Sequence, residues 1–401
     1  MRNNYFEKLL NYMKSVYHVD KSLSKLTDGR ISPTYKTAQV ILTVLLGFLL
    51  RIRSFNELSF MIKSKDLNKL FPQGMPVPRI DTIRDMLKVI DLEGLRQTNN
   101  HIVKKTIENK VFENGTIDGY TVAALDGTRF FGSSKKNCPE CLRSNGQNFH
   151  SGVVMSTVGD GPKLVVDFEM YKPGKDTASK DEGELNVAKR LISSVFARPK
   201  SFIDVVVYDA LACNSIWFNH CINHGIDTIV RAKNNYNRCL KQVKSDTNKS
   251  EPVAVWGNEN GFERVDVYES MFEFDKVERP LRFIKFAIKH PDNTRTQIMI
   301  VTTCMGMRLK TLFKIIRARW DIENSIFNNL KKECGLGRCF VHGGKAVEAV
   351  LCLMFIASNI MQLFFNRRLK KLITTQRELV RLLFKGLYLF KYNAELIYDS
   401  A

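Results

Sequence analysis

The stretch YTVAALD, residues 120–126, decides the fold together with its counterpart FIDVVVYD, residues 202–209. Each is a short apolar run of the kind that forms a buried strand, and each ends in an aspartate. Three further runs are typical of strands: 152–157, 163–170 and 226–231. Two runs are typical of helices: 182–196 and 213–224. Three strands followed by a helix, a strand, a helix and a strand predict an α/β sheet with crossover connections.

The sequence on either side of this region has other periodicities. Residues 37–52 are apolar on nearly all sides of a helix, and residues 81–90 have helical spacing with Asp81 as the expected N-cap. Between residues 238 and 304 the recognisable runs are all strand-like: 253–256, 262–274, 281–288 and 296–303. Long helical patterns follow at 309–332 and 345–365.

These patterns divide the chain into five expected parts. They are a helical N-terminal domain (1–115), a first part of the α/β core (116–235), an all-β insertion (236–304), a second part of the core (305–365) and a basic C-terminal segment (366–401). Basic side chains would allow the N-terminal helices to bind DNA, although a solvated charged face is the commoner explanation of such residues. The C-terminal segment is the competing candidate for reading DNA.

Composition and charge narrow the class of protein. Hydrophobic residues at 44% and charged residues at 25% of 401 exclude a disordered chain, a collagen-like chain and a small disulfide scaffold. The net charge of +20 favours a polyanionic partner, either nucleic acid or an anionic membrane surface, with an ordinary basic enzyme as the alternative. Nine scattered cysteines and the missing apolar leader predict a cytoplasmic protein. The apolar runs 40–50 and 349–365 are expected to be buried helices and not membrane spans.

A third carboxylate lies in the stretch RWDIEN, residues 319–324. On a helix Arg319 and Glu323 lie one turn apart, which in isolation is a common surface ion pair. If Glu323 converges with Asp126 and Asp209, two charges 4 Å apart repel by roughly 4 kcal/mol at an effective dielectric of 20. Divalent cations remove that repulsion, and two such ions suit phosphodiester chemistry. The alternative is that each aspartate caps a turn.

In these residues the sequence resembles the DDE transposases of bacterial insertion sequences, whose catalytic domain has an RNase H-like fold. The resemblance covers roughly residues 115–365. Asp126 in ALDGT, Asp209 in VVVYDA and Glu323 in RWDIEN match the family's acidic residues, separated by 83 residues (126 to 209) and 114 residues (209 to 323). One cut-and-paste branch carries Y-x2-R-x3-E-x6-K around the Glu. Ile316 and Leu330 stand here at the Tyr and Lys positions, with Lys331 one place later.

The resemblance implies an α/β, RNase H-like mixed sheet flanked by helices, and a DNA-cutting and DNA-joining activity. Asp126, Asp209 and Glu323 would hold Mg²⁺, with Mn²⁺ as a substitute and two ions in the site. Double-stranded DNA would be the partner, both as terminal inverted repeats and as target, bound by a homodimer on paired ends. An inactive, DNA-binding relative acting as a repressor and a structure-specific RNase H-like nuclease are the alternatives.

The resemblance also implies side chains that contact DNA. Arg319 would bind a phosphate near the cut as a bidentate fork, and Lys331 would do so as a point charge. Trp256, in the expected insertion, would stack on an unpaired base, and ordinary packing is the alternative.

Cysteine and histidine residues form two further groups. Cys138 and Cys141 make a C-x2-C pair with His150 nearby, but zinc needs a fourth ligand and no second C-x2-C follows. A looser group contains Cys334, Cys339 and His342. A structural zinc at Cys138 and Cys141 and a set of reduced thiols are both consistent with this pattern.

Overall fold

The computed structural model describes residues 4–72, 75, 77–174, 181–198, 202–233, 238–257 and 264–393. The first of these residues are helical, as expected: α1 (Tyr5–Ser15), α2 (Val19–Ser24), α3 (Thr37–Leu49), α4 (Phe55–Lys63), α5 (Ile80–Val89) and α6 (Leu92–Glu108). Helix α3 is buried nearly all round, which explains its continuous apolar sequence. The expected cap of α5 is wrong, because Arg79 is the N-cap and Asp81 is an exposed residue of the first turn. A carboxylate there still favours the helix electrostatically.

The central region forms the predicted alternation of strands and helices. Its elements are β1 (Val122–Ser133), β2 (Leu142–Ser144), β3 (Gln147–Thr157), β4 (Val165–Met170), α7 (Glu184–Phe196), β5 (Val205–Tyr208), α8 (Ser215–Asn223) and β6 (Asp227–Arg231). Strand β1 is central, with β3 and then β4 antiparallel on one side and β5 and then β6 parallel on the other. The order β4-β3-β1-β5-β6, flanked by helices, is the α/β RNase H-like fold that the sequence predicts.

The stretch predicted as an all-β insertion extends this sheet and also contains a helix. Its elements are α9 (Arg238–Lys249), β7 (Ala254–Gly257), β8 (Arg264–Phe272), β9 (Leu281–Lys289) and β10 (Arg295–Thr302). Because β10 pairs antiparallel with β6, the strands continue the sheet in the order β6-β10-β9-β8-β7. The prediction of strands alone is therefore wrong for α9, which buries only Leu240, Val243 and Thr247. Residues 234–237, where the insertion was expected to begin, and 258–263 lie outside the described residues.

The last part of the chain is helical but less regular than predicted. In place of one helix over 309–332, α10 (Leu309–Ala318) is followed by two π-helical turns, Ile322–Phe327 and Leu330–Cys334. Then come α11 (Gly344–Phe364), a π-helical turn (Phe365–Leu369) and α12 (Gln376–Leu389). Such π-helical turns concentrate at functional sites. Residues 394–401 of the predicted C-terminal segment lie outside the described residues.

Helix α11 is the centre of a core that the N-terminal helices share. Helices α3, α5 and α6 pack against it, so the boundary expected near residue 115 marks a change of secondary structure and not an edge of the core. The stretch Gly344–Leu369 is long and apolar enough to cross a membrane, but 89% of its most apolar window is buried inside the protein. Buried Asn359 accepts the Val165 N–H at 2.8 Å and donates to Asn99, which ties α11 to β4 and α6.

Candidate active site

The pairing of β1 with β5 brings the two aspartates side by side. Only Asp209 follows the end of its strand, because β1 continues past Asp126 to Ser133. Val122 pairs with Val205 and Ala124 with Val207, in parallel. Two more residues in the same register bring Asp126 opposite Asp209 on strands about 4.8 Å apart. In-register residues of neighbouring strands project from the same face of a sheet. The apolar runs of the sequence therefore deliver both carboxyl groups to one place.

Asp209 also caps a turn, which is the role that the sequence offers as the alternative to metal binding. Its Oδ1 accepts the backbone N–H of Leu211 at 2.8 Å, at the start of a short 3₁₀ turn (Ala210–Ala212). This contact occupies one oxygen of the carboxylate and fixes the orientation of the group. Capping and a role in the site are therefore compatible for this residue.

Glu323 reaches the same region from the π-helical turn Ile322–Phe327, which packs against β1. Its Oε1 accepts from Nη2 of Arg319 at 3.2 Å, so the pair expected from the sequence is formed. Arg319 is 4% exposed, whereas the side chain of Glu323 is 38% exposed. The arginine is thus a buried partner of the glutamate, and the glutamate is accessible to a ligand.

The electrostatics of Asp126 are consistent with several acidic groups close to it. Burial, and next the Glu323 carboxylate, raise the pKa of Asp126 to about 7. Arg319 opposes this effect, and Glu184 and Asp209 add to it. One arginine does not compensate this many carboxylates, so the arrangement has an excess of negative charge. Carboxylate oxygens in such an excess are suitable ligands for a hard divalent cation.

Sequence reasoning missed Glu184, the first residue of α7. Its Oε1 accepts the hydroxyl of Tyr208 at 2.8 Å and its Oε2 accepts that of Tyr171 at 3.1 Å. A Cβ on Gly127 would lie 2.4 Å from Glu184 Oε2, so the carboxylate reaches the β1 backbone beside Asp126 only because residue 127 is a glycine. Burial, and next Glu184, raise the pKa of Tyr171, so its hydroxyl remains a donor. The glycine directly after Asp126 was the one local signal.

A family model described as the transposase DDE domain matches residues 118–360. The chain belongs to the DDE transposase family. The matched range is more than half of the chain and contains Asp126, Asp209 and Glu323. No curated protein matches the chain. Membership of the family implies DNA as the substrate and dependence on a divalent metal.

The transposase anchors its Glu323 segment through the residue two places earlier. Asp321 Oδ2 accepts Lys163 Nζ at 2.8 Å and the Gly159 N–H at 3.0 Å, both from the connection between β3 and β4. Gly159 has φ +94°, and a Cβ there would lie 2.5 Å from Ile117, so this turn requires glycine. The anchor fixes the π-helical turn against the sheet and so fixes where Glu323 lies.

The residues that were expected to contact DNA lie in different environments. Lys331 is exposed, with its ammonium 5.9 Å from the centroid of Phe327, whereas Leu330 at the family's Lys position is fully buried. Arg319 is buried against Glu323 and is not positioned as a free phosphate fork. Trp256 packs on Phe313, with ring centroids 5.7 Å apart. Strand β7 is five strands from β5, about 24 Å along the sheet, so packing explains Trp256 better than base stacking does.

Of the second cysteine and histidine group of the sequence, His342 joins the first group in the structure, whereas Cys334 and Cys339 do not. Cys138, Cys141, His150 and His342 lie together. Cys334 lies elsewhere and accepts from Arg51 Nη1 at 2.8 Å. The side chain that completes the C-x2-C pair and His150 is therefore His342, from the loop after the second π-helical turn of the Glu323 segment.

Proposed function

We propose that this transposase cleaves phosphodiester bonds at the ends of a bacterial insertion sequence and joins the freed 3′-OH to target DNA, by cut and paste. The observation that carries the proposal is the register of β1 and β5, which brings Asp209 beside Asp126. In support, the turn that contains Glu323 packs against β1, and the Glu323 and Asp209 carboxylates both raise the pKa of Asp126. Structural carboxylates are seldom gathered in this way without compensating charges.

Asp126, Asp209 and Glu323 would hold the divalent cation, with Mg²⁺ as the expected ion, Mn²⁺ as a substitute and two ions in the site. When bound, the ions would activate the attacking oxygen and stabilise the leaving oxygen. The raised pKa of Asp126 supports this assignment, because such a carboxylate is stabilised when a cation is beside it. All three ligands supply oxygen, which is the donor that Mg²⁺ prefers.

Other residues of the chain would position this set. Arg319 is a positioning residue, since its guanidinium binds Glu323 Oε1 and is itself held by burial. The 3₁₀ turn after Asp209 and the Asp321 anchor orient the other members. Lys331 is exposed and is the better candidate for a contact with a DNA phosphate.

The chemistry needs no covalent bond between protein and DNA. In the first step a water oxygen forms a bond to phosphorus, and the bond from phosphorus to the 3′-oxygen breaks, which leaves a 3′-OH. In the second step that 3′-OH attacks another phosphodiester, and a bond from phosphorus to oxygen is again exchanged for one of the same kind. We expect two chains to act on two paired ends.

The test uses a DNA fragment with the ends that flank the coding sequence, incubated with the protein with and without Mg²⁺. Wild-type protein is expected to give 3′-OH ends and joined products that need Mg²⁺. Asp126→Asn and Glu323→Gln are expected to lose at least about 100-fold in rate, because loss of a residue that only supports a metal ligand already costs about 10- to 100-fold. Glu333→Gln is the matched control, because Glu333 follows Glu323 in the same helical region but pairs with the exposed Arg377.

The other outcomes of this assay support the alternative functions or contradict the proposed ligands. Cleavage without joining indicates the structure-specific nuclease, and DNA that is bound but intact in every condition indicates the repressor. Equal activity of Glu323→Gln and Glu333→Gln contradicts the proposed ligand set.

A further inference from the structure

Four side chains from three separate segments meet outside the carboxylate site. Cys138 and Cys141 are the ends of a turn in which the Cys141 N–H donates to the Cys138 carbonyl at 3.1 Å. His150 lies on β3, and His342 lies in the loop before α11. The ligand atoms of all four lie within 4.8 Å of one another.

Four of the six distances between these atoms are close to those of a tetrahedron around zinc, and the other two are within 4.8 Å. Zinc–sulfur bonds of about 2.3 Å and zinc–nitrogen bonds of about 2.05 Å give tetrahedral edges of about 3.8 Å between two sulfurs and 3.6 Å between sulfur and nitrogen. The two Sγ atoms are 3.6 Å apart, and His150 Nε2 lies 3.4 Å from Cys138 Sγ and 3.5 Å from Cys141 Sγ. His342 Nε2 lies 3.6 Å from Cys141 Sγ.

We propose that Cys138, Cys141, His150 and His342 bind one Zn²⁺ as a closed structural site. Two thiolates and two imidazoles are a common structural zinc set, and four protein ligands leave no open position for catalysis. The set differs in donor type from the oxygen ligands of the carboxylate site, so each site selects its own metal. Phe131 packs on both imidazoles, with centroids 5.3 Å from His150 and 5.5 Å from His342, and excludes water from one side.

The position of the site indicates what the metal does. Cys138 and Cys141 follow β1, the strand that contains Asp126, whereas His342 follows the π-helical turns that contain Glu323. The bond from Cys141 to His342 spans 201 residues of sequence, so the metal links two segments that are far apart in the chain. Zinc would therefore hold the end of the Glu323 segment against the sheet.

The first test is the metal content of the purified full-length protein, expressed in zinc-containing medium and measured by plasma mass spectrometry. Wild-type protein is expected to contain about one zinc per chain, and Cys141→Ser and His342→Ala less than about 0.1, because a closed site needs all four ligands. Cys339→Ser is the matched control and is expected to keep its zinc. Its thiol lies in the same loop as His342 but donates to the Val341 carbonyl at 3.4 Å.

The second test keeps the proposal falsifiable if a variant fails to fold. X-ray absorption at the zinc edge of wild-type protein is expected to show two sulfurs at about 2.3 Å and two nitrogens at about 2.05 Å. Wild-type protein without zinc, a disulfide between Cys138 and Cys141, or zinc retained in Cys141→Ser would each overturn the proposal. Both measurements are made without DNA, so their outcome is independent of whether the protein cleaves and joins DNA.

Discussion

Replacing Asp126 with Asn is expected to stabilise the protein above neutral pH while it abolishes activity. Burial, and next Glu323, raise the pKa of Asp126 from 3.8 to about 7. The folded state therefore keeps a proton on this carboxyl that the unfolded state releases near pH 4. A raised pKa of this kind contributes stability at low pH that is lost as the pH rises through 7.

The magnitude follows from the two pKa values. A tenfold change in proton concentration corresponds to about 1.4 kcal/mol, so full ionisation of Asp126 lowers the free energy of unfolding by about 4 kcal/mol. About 2.6 kcal/mol of this change falls between pH 5 and pH 8. The amide that Asp126→Asn introduces has no proton to lose, so the stability of this variant relative to wild type is expected to rise by about that amount over this interval.

The assay is urea unfolding of both proteins at pH 5 and pH 8 without added Mg²⁺. Comparing the two proteins at each pH cancels the titration of every group that does not interact with Asp126. Asp246→Asn is the control, because Asp246 is exposed on α9 and bonded only to Gln242 among the described contacts. A relative stability of Asp126→Asn that changes by less than about 0.5 kcal/mol, the range of surface substitutions, refutes the proposed electrostatics.

Three further predictions concern Glu184, the ion pairs of Arg96 and the salt dependence of DNA binding. Glu184→Gln removes a negative charge near Asp126, so the pKa of Asp126 is expected to fall. The pH at which the protein loses the stability linked to Asp126 should then be lower, and an unchanged pH would show that Glu184 does not interact with Asp126. Arg96→Ala removes a half-buried partner of Glu348 and of Asp167, which keeps Arg198 as its second partner. The variant is expected to lower the free energy of unfolding in urea by about 2 kcal/mol, whereas a loss below about 1 kcal/mol would show the network to be dispensable. DNA affinity is expected to fall linearly on a plot of log K against log salt concentration, and a flat line would contradict electrostatic binding by a chain of charge +20.

The parts of the fold that depend on local pattern were predictable from the sequence. The apolar runs that end in Asp126 and Asp209 are strands because their residues are buried on both faces of the sheet. The RNase H-like mixed sheet flanked by helices followed from the resemblance and is confirmed. The place where β10 pairs was not predictable, because an alternating strand does not encode which edge it joins.

Local irregularities of helices are not predictable from the sequence either, because they do not change the residue spacing. The spacing of four residues between Arg319 and Glu323 is the same whether the helix is regular or has a π-helical turn, so the turn at Ile322–Phe327 leaves no signature. Helix α9 buries few side chains, so its apolar periodicity is too weak to predict a helix between strand-like runs.

The functional groups contributed by distant residues were the hardest to foresee. Glu184 begins a helix that was predicted, but its approach to Asp126 depends on how α7 packs over the sheet. His342 was noticed in the sequence, yet only the folded chain shows that it joins Cys138 and Cys141. In both cases the role of the residue depends on a tertiary contact between distant segments, and no sequence pattern predicts that contact.

The central claim is that Asp126, Asp209 and Glu323 hold one set of divalent ions, and anomalous diffraction from crystals soaked in Mn²⁺ tests it most directly. We expect anomalous density at bonding distance from carboxylate oxygens of all three residues, and loss of that density in Asp126→Asn. Mn²⁺ bound elsewhere, with Glu323 paired only to Arg319 and no ion beside either aspartate, would contradict it.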